Sequence, residues 1–373
     1  MFWTLLAPVF LASVPTVYCL DLVKYGAFTQ TATYSIANQL GIFQSIGLNV
    51  TYLQIPNSTF AYPNLLNGGY DVLTGTIDNV VNLRFNQNAS LTVLGQLDAG
   101  PDIVIAAAPN ITSVHQLRGK PIIVDSPTSG YAYILRKTLS LYGLRLENGD
   151  YFFQASTHSY QTAGSTALRY KYLTAGALPN STAVHATILT YPFTQFIQAL
   201  PLSERPTILA RVSDVIQPLS SSAITVAESS LSNDLKRDVL IRFFAALYAA
   251  NKYLARPENK NCATRAIQRQ LNVTEEVAKG EYAAATDPIS GESINSATNF
   301  NVSRQGLLNV IDVRAQFGGL SGIANGEGFD YVQAIEPGIG RMIDYSVRNE
   351  AIRTYDGFLE EVIGKGSTLC LGI

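Results

Sequence analysis

Strand-period and helix-period segments alternate along this chain in two separate runs, and few folds can accommodate that order. Residues 20–28 read as an apolar strand. The polar turn Thr29-Gln30-Thr31 follows and is suited to cap a helix. In that helix Ile36, Leu40, Phe43 and Ile46 fall on one face at spacings of four and three. Gly47 stands where a left-handed C-cap belongs. Leu48, Val50 and Tyr52 then alternate with Asn49 and Thr51, the period of a strand with one wet face. A short helix over 63–67, a strand over 70–73 and a helix from Ile77 complete the first run. The second holds strands at 121–124, 151–154 and 186–189, with helices over 129–142, near 166–173 and from Pro192. Such alternation builds βαβ units and mostly parallel sheets.

Two extended stretches, 91–108 and 216–227, read as crossovers between two lobes. From Ser232 the chain turns helical. Leu235, Val239, Phe243, Leu247 and Leu254 recur at near-helical spacing, and Gly318-Gly319 closes a helix carrying Val310, Val313 and Phe317. The expected organisation is a signal peptide over 1–19, a first lobe opening over 20–100 and a second lobe over 101–215. The chain then returns to the first lobe over 216–320, and a C-terminal extension over 321–373 packs on that lobe. A length of 373 residues agrees with two units of roughly 150 residues each.

Residues 1–19 carry no charged side chain and end with Val17 and Cys19 at the −3 and −1 positions, the pattern of a secretory signal. An uncleaved anchor is the alternative, and no later segment is long and apolar enough to span a bilayer. Export leaves Cys262 and Cys370, expected to pair as a disulfide in an oxidising compartment, with two buried thiols as the alternative. Asn49, Asn57, Asn88, Asn110, Asn180, Asn272 and Asn301 each open an N-x-S/T sequon; composition alone would supply about three. A glycosylated, secreted, eukaryotic chain is expected. Its formal charge of −2, without a basic run, argues against nucleic-acid binding.

Several short patterns recur in a known order. They are Ile36-Ala37-x-x-x-Gly41-x-Phe43-x-x-x-Gly47-Leu48-x-Val50 and Leu65-x-x-Gly68-x-x-Asp71. Leu117-Arg118-Gly119-Lys120-x-Ile122 comes next, followed by Ser129-Gly130 opening a helix. Leu173-x-x-Gly176 and Ala186-x-Ile188-Leu189-x-x-Pro192 end the series. In these the chain resembles the SsuA/THI5-like family of type II periplasmic binding proteins, over residues 21 to 320. The resemblance implies an α/β, two-lobed fold and, for most members, a receptor that serves an ABC importer of nitrate, sulfonate or taurine type. An importer partner is not expected in a eukaryote. One branch of the family makes a thiamine pyrimidine precursor with a Lys and, four residues on, a His. Gly75 and Asn79 occupy those positions here, and the cysteine cluster of that branch is missing, so its chemistry does not carry over.

Ligands of open α/β sheets sit at the carboxyl ends of strands, where helix N-termini present free N–H groups. The loops at those ends hold Phe28, Thr29, Gln30, Thr76, Asp78, Asn79, Ser126, Thr128, Ser129, Tyr131, Ser159 and Tyr191, the candidate ligand-binding residues. They offer hydroxyls, amides and aromatic walls but no Arg or Lys. An anion would rely on backbone N–H groups, and a neutral ligand with a flat part suits the set equally. Thr29 and Ser129 have a plainer reading as N-caps, and Tyr131 and Tyr191 as core. No cofactor, metal site or catalytic motif is expected. The expected function is non-catalytic binding of a small polar or aromatic-containing metabolite. Two alternatives stay open: an enzyme using Asp78 and His158 for proton transfer, and a secreted interaction protein with a vestigial cleft.

Overall fold

The computed structural model describes residues 20–155, 164–320, 329–364 and 370; the expected signal peptide over 1–19 and the loop with His158 and Ser159 lie outside them. The first run folds as β1 (Asp21–Ala27), α1 (Ala32–Gln39), α2 (Ile42–Ser45), β2 (Leu48–Gln54), α3 (Ser58–Leu66), β3 (Val72–Thr76), α4 (Ile77–Gln87) and β4 (Leu91–Gln96). The periodicity of Ile36, Leu40, Phe43 and Ile46 predicts one helix where the chain forms two. Gly41 takes φ +68° between α1 and α2, a conformation open to glycine at little cost. All four apolar residues still reach the core. Helix α3 starts five residues before its expected position because Asn57 caps it, its Oδ1 accepting the Phe60 N–H at 2.8 Å.

The second run folds as β5 (Val104–Ala107), β6 (Pro121–Val124), α5 (Gly130–Ser140), β7 (Phe152–Ala155), α6 (Thr166–Ala175), β8 (Ala186–Leu189), α7 (Phe193–Ala199) and β9 (Thr207–Arg211). Strand β9, unforeseen from the sequence, lies at a sheet edge and its first three residues are only partly covered. Next come β10 (Ser222–Ala227), α8 (Glu228–Leu231), α9 (Asp234–Leu254), α10 (Lys260–Leu271), α11 (Glu275–Ala285), α12 (Asn295–Thr298), α13 (Arg304–Gln316), α14 (Tyr331–Ala334) and α15 (Ser346–Gly364).

The architecture is α/β and two-lobed, with one five-stranded sheet in each lobe. The orders are β2-β1-β3-β10-β4 and β7-β6-β8-β5-β9. In the first, β1 runs parallel to β2 and β3, and β10 lies antiparallel between β3 and β4. In the second, β6 runs parallel to β7 and β8, and β5 lies antiparallel between β8 and β9. Four strands of each sheet therefore share one direction. The fifth enters from the other lobe, as the chain passes from β4 to β5 and returns from β9 to β10.

Helix α9 packs against α1, α2, β2 and α15 in the first lobe. Phe243, Leu247 and Leu254 are buried on it, whereas Leu235 is 82% exposed because the first turn overhangs the core. Phe243 meets Tyr25 and Phe43 at centroid distances of 5.5 Å, and Tyr34 joins them, an arrangement of tilted and stacked rings that adds to simple burial. Cys262 on α10 and Cys370 form a disulfide. The segment before α15 closes the free edge of β4: the Val93 N–H donates to the Met342 carbonyl (2.8 Å) and the Asp344 N–H to the Val93 carbonyl (3.0 Å). Covering an edge strand removes a template for unwanted pairing. Helix α13 touches both α4 and α5, and so contacts both lobes.

Candidate ligand-binding cleft

A narrow cavity of about 30 Å3 lies where the carboxyl ends of the parallel strands of both lobes converge. From the first lobe come Phe28, Thr29 and Thr31 after β1, then Thr74, Gly75, Thr76 and Asn79 around the β3–α4 junction, and Ser222 at the start of β10. From the second come Asp125, Ser129 and Tyr131 after β6, Thr166 and Arg169 on α6, and Thr190 and Tyr191 after β8. Three aromatic walls and a ring of hydroxyls thus face one space, with the mixed polarity of small-molecule sites.

Seven of the residues singled out from the sequence line this cavity: Phe28, Thr29, Thr76, Asn79, Ser129, Tyr131 and Tyr191. Four others lie elsewhere. Gln30 is hydrogen-bonded by Gln270 of α10. Ser126 Oγ and Thr128 Oγ1 lie 3.1 Å apart and bond to each other. Asp78 turns away to Arg314 of α13, which reaches its two carboxylate oxygens at 2.9 and 2.5 Å. Ser159 is outside the described residues. Thr31, not Thr29, caps α1, accepting the Tyr34 N–H at 3.2 Å. Ser129 both caps α5 and lines the cavity.

Arg169 is the main residue that sequence reasoning missed. The loops hold no cation, but the fourth residue of α6 projects a guanidinium that is 1% exposed into the cavity wall. Its Nη1 donates to the Gly164 carbonyl (2.5 Å), and its Nη2 to Thr166 Oγ1 and the Ile188 carbonyl (both 3.3 Å). Asp125 Oδ1 lies 3.8 Å away and balances the charge. Burial pulls the Arg169 pKa down and Asp125 opposes that. Arg169 Nε and Thr76 Oγ1 are buried without a hydrogen-bond partner.

Direct contacts join the lobes around this space. Ser58 Oγ donates to Asp125 Oδ2 (2.7 Å), and the Gly130 N–H to Asn79 Oδ1 (3.0 Å). Arg314, already paired with Asp78, donates from Nη2 to the Thr128 carbonyl (2.9 Å) and lies 4.2 Å over the Tyr133 ring. Behind the cavity Tyr191 donates its hydroxyl to Asp98 (3.4 Å). Burial raises the Asp98 pKa, against hydrogen bonds from Ser222 and Gly100 that lower it. Glu292 accepts the Ala32 and Thr33 N–H groups at the start of α1 (2.9 and 2.8 Å), and burial pushes its carboxyl up to about 7. Among the described residues no cluster of His, Cys, Asp and Glu is arranged to hold a metal ion, and no helix is long and apolar enough to cross a membrane.

The architecture has clear relatives among solved structures. The chain is similar to the periplasmic nitrate-binding protein NrtA from Synechocystis at 11% identity and a TM-score of 0.66, over 94% of this chain and 98% of that one. It is similar to the alkanesulfonate-binding protein SsuA from Xanthomonas axonopodis, bound to MOPS, at 14% identity and a TM-score of 0.58, over 81% and 94%. A conserved Candida albicans gene product, described as exhibiting the generic periplasmic binding protein structural fold, aligns at 16% identity and a TM-score of 0.59, over 84% and 93%. At these identities the likeness establishes the fold, that of SsuA-like periplasmic binding proteins. No protein-family model and no curated protein matches the sequence.

Proposed function

We propose that this chain is an exported, glycosylated solute-binding protein that closes its two lobes on a small polar or aromatic-containing metabolite without transforming it. The observation that carries the reading is the cavity itself. Every lining loop comes from a strand end or helix start facing the other lobe, and two extended connections join the lobes where a hinge would bend. The solute-binding names of two of its structural relatives support the same reading. Of the two residues of the enzyme alternative, Asp78 is held in a bidentate pair by Arg314 and does not line the cavity, which disfavours it as a proton-transfer group; His158 lies outside the described residues.

Export rests on the apolar segment 1–19 and agrees with the Cys262–Cys370 disulfide. Six of the sequon asparagines are exposed and suited to carry glycans; Asn57 is half-buried, and its Cβ lies at Gly164 of the other lobe. A glycan there would wedge the seam, so Asn57 stays unmodified on this reading.

The test is native mass spectrometry of the secreted protein before and after mild denaturation. A small molecule held in the native ion and released on denaturation is the expected result. A protein that is empty as purified and takes up no compound from a metabolite library would refute the binding function.

A further inference from the structure

We infer that the cleft is built for an uncharged ligand and against oxyanions, an inference that rests on the binding function proposed above. An oxyanion in such a fold needs free N–H groups at helix starts, or a cation with donors to spare. Here the protein's own acceptors take several of those N–H groups, and the buried cation is charge-balanced. At α1 the Ala32 and Thr33 N–H groups go to the Glu292 carboxyl, and the Tyr34 N–H goes to Thr31 Oγ1. At α5 the Gly130 N–H goes to Asn79 Oδ1 across the seam, and the Ala132 N–H to Ser129 Oγ. At α4 the Ile77 N–H goes to the Ser221 carbonyl, and Asp78 already places a carboxylate in the first turn. The protein's own acceptors therefore fill the α1 start and two positions at α5, and a carboxylate already stands in the first turn of α4.

Among the described lining residues the one cation, Arg169, is charge-balanced and has its terminal nitrogens engaged. Both terminal nitrogens of Arg169 bond to Gly164, Thr166 and Ile188, and Asp125 neutralises its charge. Asp125 lines the space, Asp98 lies behind Tyr191 and Glu292 at the α1 start, so the described lining has no net positive charge to offer an anion.

What remains free suits a neutral molecule. Arg169 Nε–H is a donor without an acceptor on the second lobe, and Thr76 Oγ1 is an unsatisfied hydroxyl on the first. A carbonyl or ring nitrogen of the ligand would accept from Arg169, and an amide or hydroxyl would pair with Thr76. Tyr131, Tyr191 and Phe28 would cover a flat face between them. An uncharged aromatic amide or a similar heterocycle has this chemistry.

Benzamide and benzoate match in size and shape and differ in charge, so they separate the two cases. Their binding to the secreted, disulfide-bonded protein is measured by saturation-transfer NMR and calorimetry, with nitrate and ethanesulfonate as further anions. Benzamide is expected to bind at least about tenfold more tightly than benzoate, with neither small anion bound. Molecules released from the freshly purified protein are expected in the uncharged fraction. Tighter binding of benzoate, nitrate or ethanesulfonate, or a released anion, would overturn the inference and leave the binding function standing. No binding of any probe, with nothing released, would sink the binding function itself and this inference with it.

Discussion

Among the described residues the two largest fully buried side chains are both arginines: Arg169 places a cation in the cavity wall, and Arg314 fixes the candidate residue Asp78 in a role its sequence context did not reveal. Asp78 is the sharper case. At the start of a helix beside a strand end, its carboxylate reads as a ligand contact or a base. Its partner arrives from 236 positions away, on a helix whose visible signal was the apolar spacing of Val310, Val313 and Phe317. The pair has side-chain exposures of 1% and 4%. Removing one member of such a pair leaves a buried charge without compensation. Asp78→Ala is therefore expected to destabilise the protein by about 3–5 kcal/mol, read as a lower urea midpoint. Adding Arg314→Met should recover part of the loss. An unchanged midpoint for the single variant would show that Arg314 finds solvent or another acceptor. The loops around the cavity were legible because hydroxyl-rich turns follow apolar strands. Their charged partners were not, because nothing in a helical repeat marks which of its arginines points inward.

At the scale of elements, the alternation of periods located most strands and the long helices, and it placed the chain in the α/β class. It blurred where one helix became two at Gly41, where a sequon asparagine doubled as a cap at Asn57, and at β9, whose partly covered pattern carries little period. The start of α1 shows what local pattern cannot supply. Its cap is Thr31, but two of its N–H groups end on Glu292, 260 residues away. Burial raises the Glu292 carboxyl from 4.5 to about 7, opposed by the hydrogen bonds from Thr33 and Ala32. A carboxyl raised in the folded state binds more protons there than in the unfolded chain. Its contribution to stability is full below about pH 4.5 and is lost as pH rises through about 7. Glu292→Gln cannot titrate and retains an acceptor. The stability difference between the two proteins should therefore shift toward the variant between pH 4.5 and 7, and level off above, in denaturation curves taken across that range. A difference independent of pH would mean that Glu292 titrates normally and that the α1 start is not its partner in solution.

For the whole molecule, closure depends on how closely the helix starts of the two lobes approach, and Gly130 sits at that point. A Cβ there would lie 2.7 Å from Thr76 Oγ1 and 2.9 Å from Asp78 Cβ, closer than side chains tolerate. The threonine hydroxyl can rotate away, but Asp78 is clamped by Arg314 and cannot follow. The substitution should leave each lobe intact, because alanine suits the first turn of a helix better than glycine does. Gly130→Ala thus separates folding from closing. The thermal midpoint should change by no more than the equivalent of about 1 kcal/mol. Ligand affinity should fall at least about tenfold, since only the closed form carries the full set of contacts. The radius of gyration from small-angle scattering with ligand should stay at the larger value of the free protein. If the variant instead compacts and binds as the parent does, then the seam at Gly130 is loose in solution. The contacts from Asn79 to Gly130 and from Arg314 to Thr128 would then not be what holds the lobes together, and the seal would have to lie at Ser58 and Asp125 on the other side of the cavity.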